Sequence, residues 1–478
     1  MTTLVWFRQD LRTQDNPALF EAARNGAVLP VFILESPAQS GETHPMGGAS
    51  RWWLHHSLAR LKASLPGLVF LRGDARHLIP HLVSEHQLNA VYWNRCYEPH
   101  AIERDTDIKA GLKDAGIETR SFKASLLFEP WELETKSGGP FKVYSPFWKS
   151  AQQKPIGLPL AAPKNVQFVK TDAGEDLESF GLLPQKPDWA SGWGNIWQPG
   201  EEGARRRLTE FLDEGLQGYG GLRNRPDLPN VSRLSPALHF GEISPRTIWH
   251  ETQKHMTSEE SATSDGLKFL SEIAWREFAY HLLYHFPHLP TDNWKPAFDA
   301  YPWREAPGDL KRWQKGQTGY PIVDAGMREL WQTGYMHNRV RMIVASFLIK
   351  HLRIHWKHGE AWFRDTLLDA DLANNSASWQ WVAGSGADAA PYFRIFNPIT
   401  QGEKFDPEGH YTRRWVPELA NLATQHLFVP FAAPTEALQQ AGIELGKIYP
   451  KPIVDHSQAR QAALAGYNAV KEAGQNAA

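Results

Sequence analysis

The apolar residues change their spacing once along this chain, and that change narrows the folds open to it. Up to about residue 130, short apolar runs alternate with helical periodicity: Leu4-Val-Trp-Phe7, Val28-Leu-Pro-Val-Phe-Ile-Leu34, Val69-Phe-Leu-Arg72 and Ala90-Val-Tyr-Trp-Asn94 against Trp52 to Ala63 and a stretch around 76–87. Strand–helix alternation predicts a parallel sheet covered by helices on both faces. Asp15-Asn-Pro-Ala starts a helix after the first strand, with Pro17 in the first turn, where a missing N–H is tolerated. From about 200 onward only helical spacing recurs, as in Glu201 to Leu216 and Leu267 to Tyr284. In between, Pro130, Pro140, Pro146, Pro155, Pro159, Pro163, Pro184, Pro187 and Pro199 break every regular segment. Trp189, Trp193 and Trp197 supply this stretch with anchors that a disordered linker would lack. A chain of 478 residues exceeds one ordinary core. The expected architecture is an α/β domain over 1–130, a wrapped connector over 131–200 and a larger all-α domain over 201–478.

Several function classes drop out. No G-x-G-x-x-G follows a strand and no G-x-x-x-x-G-K-[ST] is present, which disfavours dinucleotide dehydrogenases and P-loop enzymes. Cys96 stands alone, excluding an internal disulfide, a cysteine-ligated zinc and a four-cysteine iron–sulfur cluster. His281, His285 and His288, and His351, His355 and His358, run along helices without the acidic partner of a known zinc motif, so no metal is expected. Gly384-Ser-Gly is not a nucleophile elbow. The start lacks a signal peptide's apolar stretch and no 18-residue apolar run exists, so a soluble cytoplasmic protein without membrane contact is expected. Charge is balanced, 51 Lys+Arg against 53 Asp+Glu, which leaves room for a local basic groove but gives no global nucleic-acid signature. The 20 tryptophans suggest stacking or redox chemistry, since a buried indole N–H needs a partner.

The candidate functional residues cluster in four places. Asp369-Ala-Asp-Leu-Ala-Asn-Asn-Ser-Ala-Ser-Trp-Gln-Trp381 is a poor core-former, because each buried acid or amide needs a partner. As a helix it would put Asp371, Asn375 and Trp379 on one face and Trp381 on another. A polar surface helix ending in two packing tryptophans accounts for that stretch equally well at this point. Glu272, Trp275 and Arg276 share a helix face. Asn338, Arg341 and Met342 are expected on the inner face of another helix, with Asp369 the natural partner of Arg341. Ser235 before Pro236 reads as a helix cap, placing Ser232, Arg233 and Ser235 at a positive terminus suited to phosphate. Ser244 before Pro245 repeats that cap with a purely structural meaning.

Taken in order, these segments resemble the photolyase/cryptochrome family over nearly the whole chain. The matching stretches are Val5-Trp-Phe-Arg-Gln-Asp-Leu-Arg12, Ser232-Arg-Leu-Ser-Pro236, Trp275-Arg-Glu-Phe278, Thr318-Gly-Tyr-Pro-Ile-Val-Asp-Ala325, Met336-His-Asn-Arg339, residues 369–381 and Tyr392-Phe-Arg-Ile-Phe-Asn-Pro398. The resemblance implies a Rossmann-like antenna-binding domain and a helical domain holding FAD, reduced and bent into a U. Tyr219, Val231, Ser232, Arg233, Leu234 and Ser235 would hold its phosphates. Arg276, Asn338, Arg341, Asp369, Ala370 and Asp371 would surround its rings, with Asn375 facing N5. Trp379, Trp356 and Trp303 match the indole chain that feeds electrons inward from the surface.

The implied activity is light-driven splitting of cyclobutane pyrimidine dimers in DNA, by electron transfer from excited reduced FAD to a flipped-out dimer. Glu272, Trp275, Asn338, Met342 and Trp381 would form the dimer pocket, and Arg223, Arg339, Arg394 and Lys404 would meet DNA phosphates. Met342 stands where (6-4) repair enzymes place a histidine, and Trp381 where the single-strand-preferring branch has tyrosine. About eighty residues follow Asn397, and Tyr449-Pro-Lys-Pro-Ile-Val-Asp455 resembles the photolyase ending, so no signalling tail is expected. Tyr97-Glu-Pro-His and Leu289-Pro-Thr depart from class I folate contacts. The N-terminal part looks closer to class III, implying a 5,10-methenyltetrahydrofolate antenna. A monomer with no obligate protein partner is expected, and a cryptochrome-type blue-light receptor is the alternative.

Overall fold

In the computed structural model, which describes residues 1–389 and 393–476, the expected alternation closes into one sheet. Strands β1 (Thr2–Phe7), β2 (Ala27–Leu34), β3 (Val69–Arg72), β4 (Ala90–Asn94) and β5 (Glu118–Phe122) are all parallel, in the order β3-β2-β1-β4-β5. Four of the five correspond to the apolar runs. The fifth, Glu-Thr-Arg-Ser-Phe, and the helix Pro99–Asp114 before it carry too little apolar signal, because β5 is an edge strand and only partly covered. The sheet's core is Leu4, Trp6, Val31, Ile79, Val91 and Trp93, packed by Ile108 and Leu112 of that helix. Asn16 caps the helix Pro17–Asn25 by accepting from the Leu19 N–H.

The chain divides into two compact units. The first comprises 1–219, 232–288 and 368–373; the second comprises 220–231, 289–367 and 374–478. Within the first, the connector's tryptophans serve as anchors, as their spacing suggested. Trp193 and Trp197 are buried, with ring centroids 5.4 Å from Trp52 and 5.6 Å from Trp53. The Trp53 indole donates to Glu242 at 2.9 Å. Burial holds the Glu242 carboxyl up at about 7, despite hydrogen bonds from the Gly200 N–H and the Trp53 indole.

The connector also docks on the long helix Thr263–His285 through His281. Its Nε2 accepts from the Phe141 N–H at 2.9 Å, so the proton sits on Nδ1, which donates to the Pro130 carbonyl at 3.0 Å. His285 donates to the same carbonyl. Burial and the neighbouring His285 lower the His281 pKa to about 4, below its ordinary 6.5, which keeps Nε2 an acceptor. The unfolded chain therefore binds more protons between those values. The His281 contribution is complete above pH 6.5 and is lost as the pH falls to about 4. Relative to His281→Gln, the wild-type protein should lose on the order of 3 kcal/mol across that window. A difference in denaturant midpoints that stays constant with pH would rule this out.

The second unit is helical. Its principal helices are Pro321–Thr333, Asn338–Ser346, Trp356–Thr366 and His456–Asn476. Asp324 is its polar hub. It is fully buried and accepts from the Thr318 N–H and hydroxyl, the Gly319 N–H and the Tyr449 hydroxyl. The Thr318-Gly-Tyr-Pro-Ile-Val-Asp run thus ties the chain's late Tyr449 to a helix start. Among the described residues, no helix is long and apolar enough to cross a membrane.

Candidate flavin and DNA site

In the first unit the cluster forms around Asp371, which precedes the helix Leu372–Ala383 instead of lying within it. Its backbone N–H bonds the Asp369 carbonyl at 2.7 Å, forming a tight turn through Ala370. The Asp371 carboxylate accepts from the Tyr280 hydroxyl and lies 3.7 Å from His239 Nδ1. Burial alone would raise its pKa. His239, Arg276 and the Tyr280 hydroxyl outweigh that and hold it far below the usual carboxylate range. Arg276 lies over the Tyr280 ring at 4.9 Å and donates to the Ser125 carbonyl at 2.7 Å. Tyr280 had a sequence signal, being four residues after Arg276 on one helix; His239 and Ser125 had none.

The same helix presents Glu272, Trp275 and Arg276 side by side, as their spacing predicts. All three are half-buried. Glu272 pairs with Lys268 at 2.7 Å. Trp275 stacks on Tyr144 with centroids 3.7 Å apart and planes 9° from parallel. Glu277, the following residue, is buried and caps Leu127 and Phe128 N–H groups, at 2.7 and 3.2 Å. Burial lifts its pKa to about 7 against the pull of Arg276.

The phosphate-binding expectation needs one correction. Ser235 is the first residue of the helix Ser235–His239, and Leu234 is its N-cap, with no side-chain cap. The Ser232 hydroxyl accepts from the Leu234 N–H at 3.5 Å instead, so the tight local turn satisfies itself before the helix begins. Arg233 adopts a left-handed backbone, φ 51°, within a half-buried run from Val231 to Arg233. Tyr219 is buried against Phe211 and Phe269. Ser244 is an ordinary cap, accepting from the Thr247 N–H at 3.0 Å.

The second unit carries the remaining candidates. His337 caps the helix Asn338–Ser346, and the buried face of that helix is Val340, Ile343 and Val344. Asn338 is exposed and Arg341 and Met342 half-buried, so these three lie on the outer face, not the inner one. Aliphatic packing claims the inner face. Arg341 donates to the Met336 carbonyl at 2.7 Å.

Asn375 donates to Glu360, 2.9 Å from the carboxylate and 3.2 Å from the carbonyl, a partner the sequence did not reveal. Trp379 is buried against Phe363, Trp313 and Gly359, where a Cβ would meet the indole at 2.1 Å. Trp356 is fully buried and donates to Asn293 at 2.9 Å. Trp303 lies 4.8 Å from His355, whose ring is 5.5 Å from Trp356. His355 also caps the helix Trp356–Thr366. Trp381 is half-exposed, in a hollow shared with Ser346, Lys350, Arg394 and Phe396. The buried Lys350 donates to the Ala383 carbonyl at 2.6 Å and so caps the end of the Trp381 helix.

Arg339 donates to Asn224 and lies 4.5 Å over the Phe405 ring. Burial, then the charges of Arg223 and Arg394, lower its pKa. Three guanidiniums within electrostatic reach favour an anion among them. Lys404 is exposed beside Phe405. Tyr392 lies outside the described residues. Of the histidine rows, His281 and His285 bond the Pro130 carbonyl, His351 bonds His456 at 2.8 Å and His355 accepts from the Lys357 N–H. Among the described residues, the cluster with metal-ligand spacing is Asp227, Glu408 and His410, and Arg225 already pairs with both carboxylates, at 2.6 Å from Asp227 and 2.5 Å from Glu408.

The switch point of the sheet, between β1 and β4, is where an open α/β domain would take a ligand. Its own charges occupy the strand ends. Arg8 pairs with Asp105 at 3.0 Å, Arg104 pairs with Glu35, and both guanidiniums lie on Trp6, at 4.2 and 4.6 Å.

The two parts match two family models, DNA photolyase over residues 3–164 and the FAD binding domain of DNA photolyase over 269–469. A deoxyribodipyrimidine photo-lyase of Agrobacterium fabrum is 53% identical over 98% of both chains. The crystal structure of a class III photolyase from Agrobacterium tumefaciens superimposes with a TM-score of 0.95, at 53% identity and 98% coverage of each chain. Cryptochrome-2 of Arabidopsis thaliana is 38% identical over 98% of this chain and 79% of its own. The chain belongs to the DNA photolyase family.

Proposed function

We propose that the protein is a class III photolyase that repairs cyclobutane pyrimidine dimers in DNA, using FAD. The observation that carries the reading is the pairing of a deeply stabilised carboxylate, Asp371 with Tyr280, His239 and Arg276, with a half-buried row of Glu272 and Trp275 earlier on the Tyr280 helix. The donor set fits a flavin. Acids, a guanidinium and the Asn375 amide suit the polar edge of a planar ring system, and Ser232 and Arg233 suit a diphosphate. When bound, the flavin supplies the light-driven electron.

The protein's own groups do the rest. Trp275 and Trp381 present apolar ring faces to an extruded dimer, and Asn338 and Met342 line its pocket. Glu272 accepts a hydrogen bond from a pyrimidine N–H and so orients the dimer. Arg223, Arg339, Arg394 and Lys404 take strand phosphates, which makes binding salt-dependent. Trp303, Trp356 and Trp379 step electrons inward from solvent. In this reading 1–130 binds the antenna, 131–200 connects and 201–478 holds the flavin. The ion pairs at the switch point favour an antenna held elsewhere on that domain, and 5,10-methenyltetrahydrofolate is the proposed chromophore. The protein acts as a cytoplasmic monomer.

The test is repair of a thymine-dimer oligonucleotide under blue light by pre-reduced protein. Wild type should restore the DNA, while Glu272→Ala retains FAD and loses up to about 10²-fold in repair efficiency, the scale of one lost hydrogen bond to a charged group. No repair by flavin-loaded, pre-reduced wild type would favour the blue-light receptor reading. Loss of FAD in the variant would reassign Glu272 to the cofactor site.

A further inference from the structure

The connector has no role in the site so far, yet one of its side chains touches the proposed dimer pocket. Tyr144 opens the helix Tyr144–Ala151 and is buried. Its ring lies flat on Trp275, 3.7 Å away and 9° from parallel, while its hydroxyl donates to the Ser271 carbonyl at 2.5 Å. Ser271 is one helical turn before Trp275, so the phenol spans that turn and is pinned at both ends. Phe278 braces the pair edge-on, 5.9 Å from each ring, and Phe147 of the connector helix lies 5.2 Å behind Phe278. Burial raises the Tyr144 pKa, and the charge of Glu272 adds to it.

A half-buried tryptophan on a helix surface ordinarily samples several rotamers, and ordering it on binding costs affinity. Here one face of the indole is already covered by a parallel ring, its edge is blocked, and a single face is left for a ligand. We propose that Tyr144 is a positioning residue for dimer recognition: it locks Trp275 into a one-sided platform before DNA arrives. This inference rests on the reading of Trp275 as a dimer-pocket residue.

The experiment measures binding of a thymine-dimer oligonucleotide by the flavin-loaded protein, together with repair yield at saturating DNA, flavin content and thermal midpoint. Tyr144→Leu should weaken dimer binding by about threefold to tenfold, the range of an aromatic pair, with saturated repair yield and flavin content held. Tyr144→Phe, which keeps the ring, should return affinity to within about twofold of wild type. If Tyr144 acts through Trp275, the double variant with Trp275→Leu binds no worse than Trp275→Leu alone. Equal affinity of Tyr144→Leu and wild type overturns the proposal, as does additive loss in the double variant. Should Tyr144→Leu fail to fold, Tyr144→His carries the same comparison with a smaller planar ring. Wild type that shows no preference for dimer DNA would instead overturn the repair reading itself.

Discussion

Asp371→Ala should yield protein that purifies without yellow colour and unfolds well below the wild type. The carboxylate is buried and answers Tyr280 and His239 together, with Arg276 near enough to stabilise its charge. Removing it strands a phenol and an imidazole in a low-dielectric setting and leaves Arg276 with Glu277 as its carboxylate. Breaking a buried pair of this kind costs about 3–5 kcal/mol. Asp371→Asn keeps an acceptor for Tyr280 and loses only the charge, so its cost should be smaller, about 1–3 kcal/mol. Flavin absorbance per protein and the denaturation midpoint measure the two effects separately. An alanine variant with full flavin content and unchanged stability would remove Asp371 from both roles.

Trp356→Phe should separate two activities that share one cofactor. Trp356 is fully buried, bonded to Asn293, and reaches the half-buried Trp303 through His355. Phenylalanine preserves most of the packing but is far harder to oxidise than an indole. Light-driven reduction of oxidised flavin should therefore fall to a small remnant of the wild-type rate. Repair by protein reduced beforehand with dithionite needs no electron from Trp356 and should be nearly unaffected. Parallel loss of both would mean that the indole supports the flavin site, not an electron route. Asn293→Ala would leave the Trp356 indole N–H unmatched and makes a useful structural control.

The sheet and the helical majority were legible because they rest on apolar spacing, which one sequence displays. β5 was not, since an edge strand with a polar sequence carries little of that spacing. The side-by-side placing of Glu272, Trp275 and Arg276 was legible for the same reason that helices are: a fixed angle per residue puts them together. The face of Asn338, Arg341 and Met342 was misjudged because polar groups and a thioether say nothing of which side a helix buries. Val340, Ile343 and Val344 decided it. Partners brought from far along the chain, His239 for Asp371 and Tyr144 for Trp275, leave no local mark at all. Ser235 illustrates a further limit: a serine before proline is a good cap by propensity, but here the turn uses Ser232 and starts the helix one residue early.

Gly359 sets a trap for anyone who would make this protein sturdier. It lies inside the helix Trp356–Thr366, where glycine forfeits about 1 kcal/mol against alanine. A design protocol that swaps helical glycines for alanines would rank it highly. The added methyl would sit 2.1 Å from the Trp379 ring and drive a buried indole out of its place. On the proposed electron route, the weak point of the helix and the seat of the innermost tryptophan are one position, so thermostability and light response would not be tuned there independently.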